Sequence, residues 1–305
     1  MTTAMASPGF NNPYFTQETP RGQQGYATPL DPNQAAQARQ AAQVPHVAQQ
    51  AQMEGMYAAP SAGTPQTGRM TYEDTIVKTA VLFGVMLVVA VVSWFVTLGG
   101  TLSPTMATTI NMAPAIIGAI GTLVISLIIA FSRKAATGLV IAYAVVEGLF
   151  VGGISAFFEV MWPAVVMQAA LGTIAVIGVT LALFSSGKIR ASAKMTKIVL
   201  IGMVGYLVFS LLNVGLMLFG VLPEGAAFGL RSMTIAGIPI GLIIGIFAVF
   251  MGAYMLVMDF DAIQRGVRNG APAKLAWQAA YGILATVVFI YIEILRLLAI
   301  LRGND

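Results

Sequence analysis

The sequence predicts an all-α, polytopic membrane protein, a bundle of seven transmembrane helices, and three observations carry that prediction. The chain is 57% hydrophobic and only 9% charged, with a mean hydropathy of +0.82, outside the range of ordinary soluble domains. Apolar runs of about 20 residues, the length needed to cross a hydrocarbon core of roughly 30 Å, recur from residue 76 onward. Such runs must be helical, because lipid satisfies no backbone polar group and the runs are too long for barrel strands.

Residues 1–70 stand apart from those runs. They are rich in Gln, Ala, Pro and Gly and contain the low-complexity segment NQAAQARQAAQVPHVAQQAQ. With three acids, three bases and little bulky apolar content, they read as a disordered tail with no signal-peptide core. The scattered aromatics Phe10, Tyr14, Phe15 and Tyr26 are candidate docking points for a partner. Residues 71–305 make the membrane domain, with spans near 76–98, 110–131, 136–158, 163–184, 198–221, 235–258 and 279–301.

Orientation follows from loop bases. One side receives Arg69, Lys78, Arg133, Lys134, Lys188, Arg190, Lys194, Lys197, Arg265, Arg268 and Lys274, and the other only Arg231 and Arg302. That asymmetry predicts a plasma-membrane protein with a cytoplasmic N-terminus and an extracytoplasmic C-terminus. Ala144, Gly148 and Gly152 in the third span, and Gly237, Gly241 and Gly245 in the sixth, recur at the spacing that lets helices approach closely. Pro114, Pro163 and Pro239 lie at or near helix starts, where proline is tolerated. Asn111, Gln168, Ser210 and Asn213 are candidates for hydrogen bonds between helices.

Composition also narrows the chemistry. With no cysteine there are no disulfides, thiolate metal sites or cysteine nucleophiles, and the single histidine, His46, lies in the tail. No Gly-rich phosphate loop is present, so the expectation is a non-enzyme without a cofactor and without nucleic-acid binding.

The informative residues are acids inside apolar runs, where a charge costs roughly 2.5–3.5 kcal/mol on insertion scales. Glu147 sits near the middle of the third span with no base within four residues, so it is either a proton or cation site or a buried packing group. Asp259 and Asp261 follow the sixth span, before the polar stretch that ends in NGAPAK, and two residues apart on a helix they point to nearly opposite sides. Asp261 has Arg265 at i+4 and Arg268 at i+7 and is explained by a helix-end ion pair. Asp259 has no such neighbour, which marks it as the inward-facing acid. Glu293 and Arg296 are three apart on one face of the seventh span and either neutralise each other or serve the site. Gly282, Thr286 and Glu293 share a stripe, which places this helix in the centre of the bundle.

The Glu147–Gly148 pair, the Asp-x-x-x-Ile from Asp259 to Ile263 and the final ILRLL resemble the Bax inhibitor-1/YccA superfamily, also called the transmembrane BAX inhibitor motif family. The tail, MTYEDTIVKTA, GAPAKLAW and IYIEILRLL look like its bacterial, actinobacterial-type branch. The resemblance covers about residues 70–302 and implies six helices around a central seventh. It also implies a calcium-permeable leak, sensitive to pH through one aspartate in the sixth helix and one in the seventh. Asp259 matches the former, and Glu147 matches the family's third-helix glutamate. Aligning on Leu-Leu-Arg puts Thr286 at the seventh-helix position, whereas aligning on the acid picks Glu293. The first register needs fewer gaps, and on it this chain lacks the carboxylate dyad.

Three function classes follow. The first is a pH-sensitive Ca²⁺ or other cation leak, possible metal contact lying near Asp259, since hard divalent cations seek carboxylate and carbonyl oxygens. The second is a proton-coupled transporter, against which stands the absence of broken helices and inverted repeats. The third is a non-transport regulator of another membrane protein, such as a protease or stress-response factor.

Overall fold

The computed structural model describes residues 68–132, 137–221, 228–235 and 237–303. Residues 1–67, with the tail's expected disorder, its aromatics and His46, lie outside the described residues, as do Arg133, Lys134 and Asp305. Among the described residues, seven helices are long and apolar enough to span a membrane. They are α1 (Tyr72–Thr97), α2 (Ala113–Phe131), α3 (Thr137–Met161), α4 (Val165–Ser185), α5 (Ala193–Leu218), α6 (Ile240–Arg268) and α7 (Leu275–Arg302). A two-stranded hairpin, β1 (Thr234–Ile235) and β2 (Ile238–Pro239), precedes α6.

Two spans begin or end away from their expected limits. The sixth begins at Ile240 rather than 235, because Gly237 takes φ +82° in the hairpin and Pro239 is the residue before the helix. Gly237 is therefore a turn residue and not part of the small-residue stripe. The same helix then runs on through the polar stretch to Arg268. An Asp261–Arg265 ion pair supports that extension, and Arg265 and Arg268 in the last turn suit the helix dipole. Gly270 at φ +62° and Pro272 then end it. The fifth span starts at Ala193, five residues before 198, where the Ser192 hydroxyl accepts from the Met195 amide at 3.3 Å.

The helices divide into an inner and an outer set. Half of the most apolar 18-residue window of α7 is buried and 56% of that of α3, against 11% for α5. α7 packs on α1, α3, α4 and α6. Glycine sets the closest contacts of α3: a Cβ on Gly152 would lie 2.1 Å from the Ala90 carbonyl oxygen, and one on Gly148 2.5 Å from that of Met86. Both neighbours belong to the stripe Leu82, Met86, Ala90 and Ser93 that α1 turns inward. Ser93 donates to the Leu149 carbonyl at 2.6 Å, the kind of close interhelical contact small residues permit.

The basic stretches meet at one end of the bundle. Lys78 pairs with Asp74 at 2.7 Å and donates to the Ala273 carbonyl at 3.0 Å, and Met70 N–H donates to the Ala271 carbonyl at 2.7 Å. Arg190 donates to Gln264 at 2.8 Å at that same end. At the opposite end Glu159 caps α4, its carboxylate accepting from the amides of Ala164 (2.6 Å) and Val166 (3.0 Å). Ala164 takes φ 66° there. Asn111 makes a local contact, its side-chain oxygen accepting from the Ala113 amide at the start of α2 at 3.0 Å.

Candidate functional site

α7 carries the polar groups that lie deepest in the bundle. Gln278, Tyr281, Thr286 and Glu293 are all buried along it, and Tyr281, Thr286 and Glu293 gather other helices around them.

The first gathering lies toward the basic end. Asp259 of α6 is fully buried (0% exposed), and the Thr286 hydroxyl donates to its Oδ2 at 2.6 Å. α6 holds this acid inside because Ala262, Ile263 and Met70 close over its end together with Ala271, Leu275, Ala276 and Ala279. Asp261, two residues on, turns the other way into its ion pair with Arg265. Glu147 of α3 is also buried, at 3% exposed. Tyr143 and Thr122 face its carboxyl, and its Oε2 has no hydrogen-bond partner among the described residues.

Two tyrosines join the two acids. Tyr143 and Tyr281 meet edge to face with ring centroids 4.6 Å apart, and the Tyr281 hydroxyl is within electrostatic reach of both Glu147 and Asp259. Ser126 of α2 lies within hydrogen-bonding reach of both tyrosines and donates to the Thr122 carbonyl at 2.6 Å. Four helices thus contribute to one polar column: Thr122 and Ser126 from α2, Tyr143 and Glu147 from α3, Asp259 from α6, Tyr281 and Thr286 from α7.

The second gathering lies two turns along α7, about 10 Å from the first. Glu293 is 3% exposed and accepts from the Tyr206 hydroxyl of α5 and from Arg296. Arg296 also donates to the Tyr206 oxygen at 2.9 Å, and Arg231 donates to that oxygen at 3.0 Å and to Ser210 at 2.8 Å. The sequence counts Arg231 as a loop base, but it is buried, at 7% exposed, under the rings of Tyr206 and Phe209. The cause is its mounting. Arg231 sits in a short 3₁₀ turn (Gly229–Ser232) that Asn213 ties down, accepting from the Leu230 amide at 2.7 Å and donating to the Phe228 carbonyl at 3.3 Å. Ser210 and Asn213 therefore hold the α5–α6 connector rather than another helix.

The stripe predicted on α7 is thus buried as a whole, but its two polar members serve different partners. Thr286 meets Asp259, whereas Glu293 meets Tyr206, Arg231 and Arg296. Tyr143, Tyr206, Tyr281 and Arg231 are additions that sequence reasoning missed. A tyrosine inside an apolar run is a weak signal, and an arginine beside a hairpin looks solvated. No three Asp, Glu or His side chains among the described residues come together as a metal-holding group. Asp259 and Thr286 would offer a hard cation a few oxygens, short of the six to eight that a tight Ca²⁺ site uses.

A family model described as Bax inhibitor 1 like matches residues 12–303, nearly the whole chain. No curated protein matches it.

Proposed function

The chain belongs to the Bax inhibitor 1 like family and is an integral, multi-pass membrane protein, and from that premise we propose that it is a pH-sensitive cation leak with Ca²⁺ as its permeant ion. The observation that supports this reading best is Asp259, a fully buried carboxyl on α6 tied to α7 by the Thr286 hydroxyl at 2.6 Å. Ionisable groups inside membrane spans generally face an interior path and mark routes for ions or protons. An ionised carboxyl can only accept from Thr286, whereas a protonated one can also donate, so proton occupancy changes the contact between α6 and α7. Glu147 extends the same polar column toward α2 and α3. A sparse oxygen set suits conduction, which requires an ion to bind weakly enough to leave.

The far end of α7 supplies the complementary part. Arg231 and Arg296 present two positive charges around the single carboxylate of Glu293. A cation coming from that end meets net positive charge, so this cluster acts as an electrostatic barrier on the proposed path.

The basic end is the cytoplasmic one in this proposal, which puts the protein in the plasma membrane with its N-terminus inside and its C-terminus outside. A reporter fused after Asp305 that reads cytoplasmic overturns that orientation.

The leak is tested by Ca²⁺ flux in liposomes holding only the purified full chain, measured across pH. Wild-type flux should depend on pH, Asp259→Asn should fix it at one level, and Glu147→Gln should alter its size or its pH dependence. Absence of flux at every pH overturns the leak in favour of a regulator of another membrane protein. Saturable exchange of a solute against protons would select a transporter instead.

A further inference from the structure

A second feature lies away from the acids, between α4, α5 and α6. α4 and α5 are consecutive in sequence, yet both pack on α6 and hardly touch one another. The gap between them is a groove of about 650 Å³ floored by α6, with Val176 and Val179 on one wall, Ile198 on the other and Phe250, Ala253 and Val257 beneath. Its floor runs from Phe247 to Val257, a rise of about 15 Å along α6, the hydrocarbon depth of one leaflet.

The groove is lined almost wholly by apolar side chains, and bases flank it in the chain at one end. Ile189 and Met195 line the groove at the basic end, and Lys188, Arg190 and Lys194 are their immediate neighbours in the chain. Tyr254 closes that rim, accepting from the Ser192 amide at 3.0 Å and donating to the Ser192 carbonyl at 3.2 Å. None of Lys188, Arg190, Lys194 or Lys197 belongs to an ion pair among the described residues. Glu224 is the one acid in the sequence between Glu159 and Asp259, and it lies outside the described residues. Among the described residues, then, four bases without an ion-pair partner stand beside a one-leaflet apolar slot. The α5 N-terminus at Ala193 adds its positive dipole end to the same spot.

We propose that this groove is a binding site for one anionic phospholipid, an acyl chain lying between α4 and α5 and the phosphate held by Lys188, Arg190 and Lys194. Each half fits one part of that molecule: an apolar slot as deep as a leaflet for the chain, and bases at the membrane surface for the headgroup. A zwitterionic lipid satisfies the slot but leaves the bases without a counter-charge. The site is independent of whether the polar column conducts ions.

The experiment is native mass spectrometry of the full chain in detergent, titrated with phosphatidylglycerol or phosphatidylcholine of identical chains. Wild type should retain one phosphatidylglycerol in preference to phosphatidylcholine. Lys188→Gln with Lys194→Gln, both at exposed positions, should lower that preference about thirtyfold, since each base near a membrane surface contributes about 1 kcal/mol. Ala175→Trp, which fills the groove from an exposed position on α4, should reduce retention of both lipids. Circular dichroism that matches wild type keeps each variant interpretable. Equal retention of the two lipids by wild type, or a preference that survives the double substitution, overturns the proposal. Displacement of phosphatidylglycerol by glycerol phosphate alone also overturns it, because the groove would then hold no chain.

Discussion

The two polar sites on α7 sit on one stripe of one helix, two turns apart, and are built in opposite ways. At Thr286 the helix contributes a neutral hydroxyl and the acid comes from α6. At Glu293 the helix contributes the acid, and its partners come from α5, from the α5–α6 connector and from the next turn of α7 itself. Both acids are buried to nearly the same degree, 0% and 3% exposed. Burial alone therefore does not distinguish them; the donors around them do. Two guanidiniums and a phenol converge on the region of Glu293, which makes that site an electrostatic brace that ties a connector to the central helix. The Thr286 hydroxyl bridges two long helices at Asp259, and that is the contact to which the proposed proton response is assigned.

The largest effect that would test this contrast is on the brace. Glu293→Gln leaves the buried Arg231 and the partly buried Arg296 around a neutral side chain, and breaking such a pair costs about 3–5 kcal/mol. Thermal unfolding in detergent should show that loss, and a cost no greater than that of an exposed pair would mean that the cluster braces nothing. Thr286→Val should cost less, about 1.5–3 kcal/mol for one hydrogen bond to a charged acceptor, and should also shift the pH dependence of flux. Thr286→Ser should restore both, because the hydroxyl rather than the methyl is what Asp259 uses. Tyr206→Phe should cost about 1–2 kcal/mol, since Arg296 and Glu293 keep their direct ion pair when the shared hydroxyl is lost. It should leave the pH dependence of flux where it was, and a shift there would join the two sites into one. The smallest effect belongs to Asp261→Asn, at most about 1 kcal/mol for a partly exposed i,i+4 pair, with the pH response of flux intact. If Asp261→Asn and Asp259→Asn act alike, the separation of the two faces of α6 fails.

Much of the bundle was legible before any coordinates. Hydropathy over about 20 residues marks a span wherever the span ends up, because the bilayer acts on each helix separately. The opposite burial of Asp259 and the Asp261–Arg265 pair follows from a four-residue spacing, again a property of one helix. Gly148 and Gly152 announced a close helix contact, although not that α1 would be the helix received. One local feature runs against a reading based on apolar runs alone: the hairpin that delays α6 to Ile240.

What only the tertiary structure decided is which polar groups share a site. Arg231 lies 62 residues before Glu293, beside a hairpin at the end of a span, and nothing in its own neighbourhood says that Asn213 will fold its turn inward onto Tyr206. Tyr281 likewise reaches toward Glu147 and Asp259 only because α3 and α6 both pack on α7. The physical reason is one of range. Hydropathy, helix periodicity and i,i+4 pairing are set within a few turns of chain, whereas the partner of a buried polar group is chosen by the packing of several helices at once.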